Sequence, residues 1–344
     1  MPETDMNKPR KYPFRRRLQL LRGYLRGAET LSIFPAQLIL EGTSRCNLHC
    51  PMCPRQLQDF PAQDMDWELF RRIVDQGRDQ LEFVIPFGGG EPLLGRDIFR
   101  MIDYCRQAGL HTWISTNATL LDEKRSRQLL QSGLDYIIFA FDGATPDVYQ
   151  RYRPGADFQQ VRQNILRFLE LKKEQRSPVF TVIQMVRLQG NAHQVEDFRR
   201  LWRASGIDEI RIKEDEVCRF DAGREEKGIR RRQPCAILWR GPLYVRYDGE
   251  AFPCCYSFQG PSLGNLNSLR LEEIWNSPRM KAMRAAHARG RLDAFPVCEQ
   301  CHVRQPQRPL LLLSFLVDSL RVRKWIPFAE RLAAVYPFRL FEGP

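Results

Sequence analysis

The chain has 344 residues, 43% hydrophobic and 27% charged, with a formal net charge of +12. That length and balance suit a globular protein with one large domain and a smaller one. They exclude a spanning helix, because no stretch reaches the roughly 20 apolar residues it needs; the longest apolar run is Leu310–Val317.

No apolar segment with a small-residue cleavage site marks a signal peptide near the start, so a cytoplasmic, reducing setting is expected. Ten cysteines there point to metal or redox chemistry before disulfides. Residues 1–36 read as a basic N-terminal extension, carrying Lys8, Arg10, Lys11, Arg15, Arg16, Arg17, Arg22 and Arg26. From residue 37 short apolar runs alternate with amphipathic stretches. Strands are expected at Leu38–Leu40, Phe83–Phe87, Thr112–Ser115, Tyr136–Phe141, Phe180–Val186 and Glu209–Ile212. Helices are expected between them at Trp67–Asp79, Asp97–Ala108, Glu123–Gln131, Phe158–Lys173 and Val195–Ala204. This alternation gives an α/β fold with a parallel sheet. Six units fall short of a closed eight-unit barrel, so residues 37–213 are expected to form a partial (β/α)6 barrel, with functional groups at the C-terminal strand ends. Residues 214–303 then read as a small domain with a β-hairpin turning at Asp248-Gly249. Residues 304–344 read as an amphipathic basic tail, in which Leu310–Val317 precedes RVRKWIPF. Such a mixture suits an interfacial helix, so peripheral contact with the inner membrane surface is one expectation and packing over the barrel the other.

Three cysteines follow the first strand in TSRCNLHCPMCPR: Cys46, Cys50 and Cys53. Structural zinc takes four closed ligands, and His49 supplies a fourth only if it turns the same way as adjacent Cys50. Three thiolates suit a [4Fe–4S] cube with one iron left open. In this setting Cys46-x3-Cys50-x2-Cys53 resembles the radical S-adenosylmethionine (SAM) enzymes. The resemblance implies that the open iron chelates the methionine part of SAM, and that the reduced cluster cleaves SAM to a 5′-deoxyadenosyl radical, which takes hydrogen from a substrate. It extends over residues 38–212. Gly89-Gly90-Glu91 is similar to the segment that holds the methionine amino group. Ser115 and Asn117 in ISTNATLL, with Asp142 in FAFDGA, sit where the family contacts or supports the ribose, and Met52 matches the apolar residue whose backbone faces adenine.

A second set lies in the small domain: Cys235, Cys254, Cys298 and Cys301, with Gly249 five positions before Cys254. This pattern resembles the SPASM or twitch domain, which implies one auxiliary [4Fe–4S] cluster closed by four thiolates and suited to electron transfer. The G-x4-C spacing favours Cys254 over Cys255. Zinc remains a rival for these four; CEQCH also matches a haem-attachment signature, but such attachment needs export to an oxidising compartment and no signal peptide is seen. Cys105 reads as a core residue, and Cys218 as either a substrate-facing or an inert thiol.

No catalytic residue is assigned from sequence. Arg187, Lys213 and Glu214 are candidates at strand ends, with Arg211, Asp215 and Arg153 beside them, and salt bridges explain them equally well. About 45 residues precede Cys46, which leaves no room there for a peptide-recognition domain. The expected substrate is therefore a small or lipid-linked polar metabolite undergoing dehydrogenation or rearrangement. A peptide or protein maturase is the alternative, and a non-catalytic iron–sulfur RNA-binding or sensor protein is the alternative of another class. Flavodoxin or ferredoxin is the expected electron donor, and nucleic acid is not an expected partner.

Overall fold

The computed structural model describes residues 13–57, 61–215, 233–258, 260–299, 301 and 308–316. Cys218, His302 and most of the tail lie outside the described residues. The chain opens with helix α1 (Phe14–Leu25) and strand β1 (Gln37–Leu40). It continues through α2 (Trp67–Gly77), β2 (Phe83–Ile85), α3 (Ile98–Gln107), β3 (His111–Thr116), α4 (Glu123–Gln131) and β4 (Tyr136–Ala140). Helices α5 (Pro146–Tyr152) and α6 (Phe158–Glu174) lead to β5 (Phe180–Arg187), α7 (Val195–Trp202) and β6 (Glu209–Glu214). Strands β1 to β6 pair in parallel in that order, giving the expected six-strand partial barrel. Acidic caps start several helices: Asp66, Asp122 and Asp157 each accept an amide from the first turn of α2, α4 and α6, which satisfies donors that have no partner within the helix.

The period of two along each strand separates two cores. Ile114, Ile137, Phe139, Ile183 and Met185 pack outward with Phe168, Phe198 and Trp202 of the helices. Their neighbours Trp113, Tyr136, Ile138 and Val182 face the other way, into the concave side, joined there by Ile39, Ile85 and Tyr244. An aromatic ladder runs across this face, with ring centroids 5.0 Å apart for Phe87–Trp113, 6.0 Å for Trp113–Tyr136 and 5.6 Å for Tyr136–Phe180.

The C-terminal region continues the same sheet. After α8 (Ile237–Arg240), β7 (Leu243–Val245) pairs in parallel with β1, Leu38 opposite Leu243. Strands β8 (Glu250–Phe252) and β9 (Gly264–Asn265) add antiparallel at the edge, so the order is β6-β5-β4-β3-β2-β1-β7-β8-β9. Helices α9 (Leu271–Trp275), α10 (Pro278–Arg289) and α11 (Pro296–Glu299) follow. Arg284 on α10 is fully buried and ties this region together. It donates to the carbonyls of Leu238, Glu29 and Trp275 and lies 4.5 Å from the Trp275 ring centroid, the dense hydrogen bonding that a buried cation requires.

From Pro13 on, the basic N-terminal segment is part of this body. Arg17 makes a buried 2.6 Å ion pair with Glu82, and Leu20, Leu21 and Tyr24 are buried on the same helix. Tyr24 packs edge-on against Trp239 and beside Phe315 of α12 (Arg308–Leu316). The described part of the tail is thus a helix packed on the protein, with Leu311 and Phe315 turned inward; an interfacial role for it receives no support. No helix among the described residues is long and apolar enough to cross a membrane.

Candidate functional site

Strand β1 delivers the chain into the cysteine loop at the C-terminal end of the barrel. The loop is pinned by the Thr43–Asp64 bridge and by Ser44, whose hydroxyl bonds the Pro61 and Gln63 carbonyls. Cys50 is buried, and Cys46 and Cys53 are partly buried. A turn closes where the Cys53 amide donates to the Cys50 carbonyl at 3.0 Å. Burial pushes the Cys50 thiol up to about 11, against the pull of the Arg153 cation, and burial also raises Cys53. Thiols that resist ionisation alone are turned into thiolates by bound metal. Among the described residues no three Cys, His, Asp or Glu side chains gather round one point as a single ion demands. In a cubane each thiolate bonds its own iron, so three thiols spaced along one loop suffice. The donor set fits such a cluster. Met52 is buried between the second and third cysteines in the same apolar cluster as Leu48 and Cys50.

The triple glycine packs directly on this loop, and sterics explain each glycine. A Cβ on Gly90 would stand 2.4 Å from the Thr43 carbonyl oxygen and 2.6 Å from that of Arg45; one on Gly88 would stand 2.9 Å from Glu41 Cβ. Gly89 donates its amide to Glu41 Oε1 at 2.6 Å. Only glycine permits this close approach. Glu91 faces inward. Its Oε1 accepts from Thr116 Oγ1 (2.7 Å) and the Leu93 amide (3.1 Å), and its Oε2 accepts from the Asn117 amide (2.7 Å). Burial raises its pKa above the ordinary carboxylate value despite those donors. The carboxylate therefore ties the end of β2 to the end of β3.

Asn117 extends that tie to the cysteine loop, donating to Asn47 Oδ1 at 3.0 Å while its own Oδ1 accepts from Thr119. Ser115, on the concave parity of β3, stays partly exposed. Asp142 is fully buried; Oδ1 accepts the Val186 amide at 2.7 Å and Oδ2 holds Arg153 through Nε at 2.7 Å and Nη2 at 2.5 Å. The geometry makes Asp142 the anchor of Arg153 and sets the guanidinium near enough to act on Cys50, Cys53 and Glu91. Sequence reasoning placed Arg153 with the substrate candidates and missed this pairing. Its signal is the acid–arginine spacing across α5, which becomes legible only once that helix is known to fold the chain back.

The strand-end candidates divide. Arg187 and Glu214 pair with each other at 2.7 Å, both half-exposed. Arg211 is held by Glu209 and the Tyr136 hydroxyl. Lys213 shares the concave parity of Arg211, and its charge reaches the Cys255 thiol.

The second cysteine set lies around the hairpin and the last helices. Cys235 precedes α8 and donates its amide to His287 Nδ1 at 3.3 Å. Cys254 lies just past β8, after Pro253, and its thiol is raised well above its ordinary value by burial and then by neighbouring Cys255 and Cys235. Burial likewise takes Cys255 to about 11, with Lys213 opposing and Cys301 adding to the rise. Cys298 sits on α11, and the Cys301 amide closes a turn onto its carbonyl.

Comparison with known proteins agrees with this arrangement. Residues 40–201 match the Radical SAM superfamily, and residues 235–302 match the SPASM iron–sulfur cluster-binding domain. A tungsten-containing aldehyde ferredoxin oxidoreductase cofactor-modifying protein of Pyrococcus furiosus is 39% identical over 107 residues, covering 30% of each chain. The PqqA peptide cyclase of Bradyrhizobium diazoefficiens is 26% identical over 171 residues, covering 49% of this chain and 43% of that one. These matches span less than half the length of either relative. Among solved structures, Streptococcus suis SuiB bound to SAM superposes with a TM-score of 0.61 at 15% identity, covering 79% of this chain and 71% of that one, a likeness of fold.

Proposed function

From the premise that the chain joins a radical SAM domain to a SPASM domain, we propose that the protein is a radical enzyme acting on a peptide. The two domains imply a [4Fe–4S] cluster, SAM and auxiliary iron–sulfur binding. When bound, these groups supply a one-electron cleavage of SAM and a hydrogen-abstracting radical. Cys46, Cys50 and Cys53 would hold the cluster, and Asp142 holds the Arg153 cation near the same cysteines. Gly89, Gly90 and Glu91 form the turn that would receive the methionine amino group, with Ser115 and Asn117 at the neighbouring strand end. Cys235, Cys254, Cys298 and Cys301 hold the auxiliary cluster. The concave aromatic face around Phe87 and Trp113, with Lys213 at its rim, receives the substrate.

The observation that carries the substrate class is the kinship with a PqqA peptide cyclase. The SuiB fold neighbour was also solved with its precursor peptide SuiA. This support replaces the small or lipid-linked metabolite expected from sequence. The test is anaerobic: reduce the reconstituted protein with dithionite in the presence of SAM, and measure 5′-deoxyadenosine alone and with candidate precursor peptides. Release of the nucleoside with a mass change in a peptide is the expected result. Intact clusters without 5′-deoxyadenosine sink the enzyme reading; release without change in any peptide sinks the peptide reading alone.

A further inference from the structure

Glu41 directly follows the apolar end of β1, Leu38–Leu40, and is fully buried. Burial raises its pKa above the ordinary carboxylate value, so the group carries a cost that a leucine would not. Arg246, whose charge favours the carboxylate, is itself committed to Asp248. Oε1 is spent on the Gly89 amide at 2.6 Å. Oε2 meets no donor in full hydrogen-bond geometry, although the Tyr244 hydroxyl and the Tyr247 amide lie close enough to favour the charged form. Tyr244 also presses on the turn, since a Cβ at Gly88 would stand 3.0 Å from its Cε2.

Peptide planarity gives this contact a consequence. The unit joining Gly88 to Gly89 is trans, so drawing its N–H toward Glu41 turns its carbonyl, that of Gly88, away from Glu41. Glu91 is already occupied by Thr116, Asn117 and Leu93. Besides the lone pair left on Glu91 Oε2, the acceptors at the turn for a ligand's ammonium group are backbone carbonyls, and Glu41 fixes the direction of one of them. Resting on the reading that this turn receives SAM, we propose that Glu41 is a positioning residue for SAM, holding the turn through Gly89 and itself held by Tyr244 of the C-terminal hairpin.

The test uses the reconstituted, reduced protein, with SAM affinity read from the change SAM makes in the cluster's paramagnetic resonance spectrum. Iron content and thermal unfolding are measured in parallel. Glu41→Ala should weaken SAM about tenfold at unchanged iron content, the loss of one charge-assisted hydrogen bond. Glu41→Gln keeps an acceptor for the Gly89 amide and should stay within about threefold of wild type. Tyr244→Phe should weaken SAM by a few-fold. A lower unfolding temperature with wild-type SAM affinity in Glu41→Ala means a merely structural role and overturns the proposal. Should that variant not accumulate, wild-type affinity in Tyr244→Phe overturns it equally. A wild-type spectrum indifferent to SAM would instead overturn the reading of the turn on which the proposal rests.

Discussion

Asp142→Asn removes one charge and little volume from the most enclosed ion pair of the site. Asp142 is fully buried, and the guanidinium of Arg153 is bound to it through two nitrogens, at 2.7 and 2.5 Å, with its side chain only 12% exposed. Breaking such a pair from one side strands the other charge, at a cost of about 3–5 kcal/mol. The asparagine still offers an oxygen to the Val186 amide, so the backbone bond between the ends of β4 and β5 survives and the loss is electrostatic. Arg153→Met strands the carboxylate and should cost a similar amount. The double variant leaves neither charge unpaired and should recover most of the loss, so the pair couples strongly. Anaerobic guanidinium unfolding of matched, cluster-loaded samples, followed by tryptophan fluorescence, measures all corners of this cycle. Arg153 also draws the Cys50 thiol toward ionisation, so Arg153→Met should incorporate iron more slowly at neutral pH. Additive losses in the double variant, or a loss under about 1 kcal/mol in Asp142→Asn, would falsify the view that the pair acts as a unit beside the cysteine loop.

Three further outcomes follow from the same geometry. Gly90→Ala sets a methyl against two backbone oxygens that cannot yield; it should cost several kcal/mol, on the order of 3, and abolish SAM binding. Gly206→Ala, at φ +84° with nothing within 4 Å of the added carbon, should cost only about 1 kcal/mol, and equal unfolding temperatures for the two variants would refute the steric account. Burial raises the Glu91 pKa above its ordinary 4.5, so the folded state binds that proton more tightly than the unfolded chain. The contribution of Glu91 to stability therefore falls as pH rises from 4.5 toward the folded value and is flat below 4.5. Urea titrations of wild type and Glu91→Gln over that window should converge at the acid end, and parallel curves would contradict the assignment. Serine at Cys235, Cys254, Cys298 or Cys301 should lower bound iron by roughly four atoms, one cubane, whereas serine at Cys105, a core residue of α3, should leave it unchanged. Cys255→Ser decides between the adjacent thiols: iron loss there, with retention in Cys254→Ser, reverses the choice made from the G-x4-C spacing.

What could be read from the sequence was whatever repeats at short range. Six strands show directly as short apolar runs and five of the helices between them as a 3.6 period, because a parallel strand packed in such a sheet is apolar along its length while its covering helix is apolar on one face. The chemistry of the cysteine loop was equally local, three thiols within eight positions. Helix α1 was hidden because Arg15, Arg16 and Arg17 dominate its composition, while the large apolar side chains it buries are only Leu20, Leu21 and Tyr24. Nothing nearby signals that Arg17 meets Glu82, 65 positions away. The small domain looked separate because charged residues precede it, yet β7 enters the barrel's sheet beside β1, a pairing that apolar composition alone cannot specify. Glu91 and Asp142 were recognised as site residues, but which way their carboxylates turn depends on donors from other strands, and these were invisible until β3 and β5 were in place.

The β1–β7 pairing also bears on how the two cysteine sets work together. Strand β1 runs into Cys46, and β7 returns through β8 into Cys254, with Ile39 opposite Tyr244 and Tyr244 opposite Phe252. The Glu41 amide adds a bond to the Val245 carbonyl at 2.9 Å, so the ladder continues to the edge of the glycine turn. A displacement of the hairpin cannot be absorbed by a linker, because a one-residue slip of β7 would turn Tyr244 away from the concave face. It would remove the side chain that packs on Gly88 and supports Glu41. Hairpin, glycine turn and cysteine loop are therefore joined through one ladder, and a cluster that orders the C-terminal cysteines should also stiffen the glycine turn. Hydrogen exchange at Gly89 measures this directly. Its amide should be protected more strongly with the auxiliary site loaded than with the Cys254→Ser protein, and equal protection would show that the sheet does not carry the coupling.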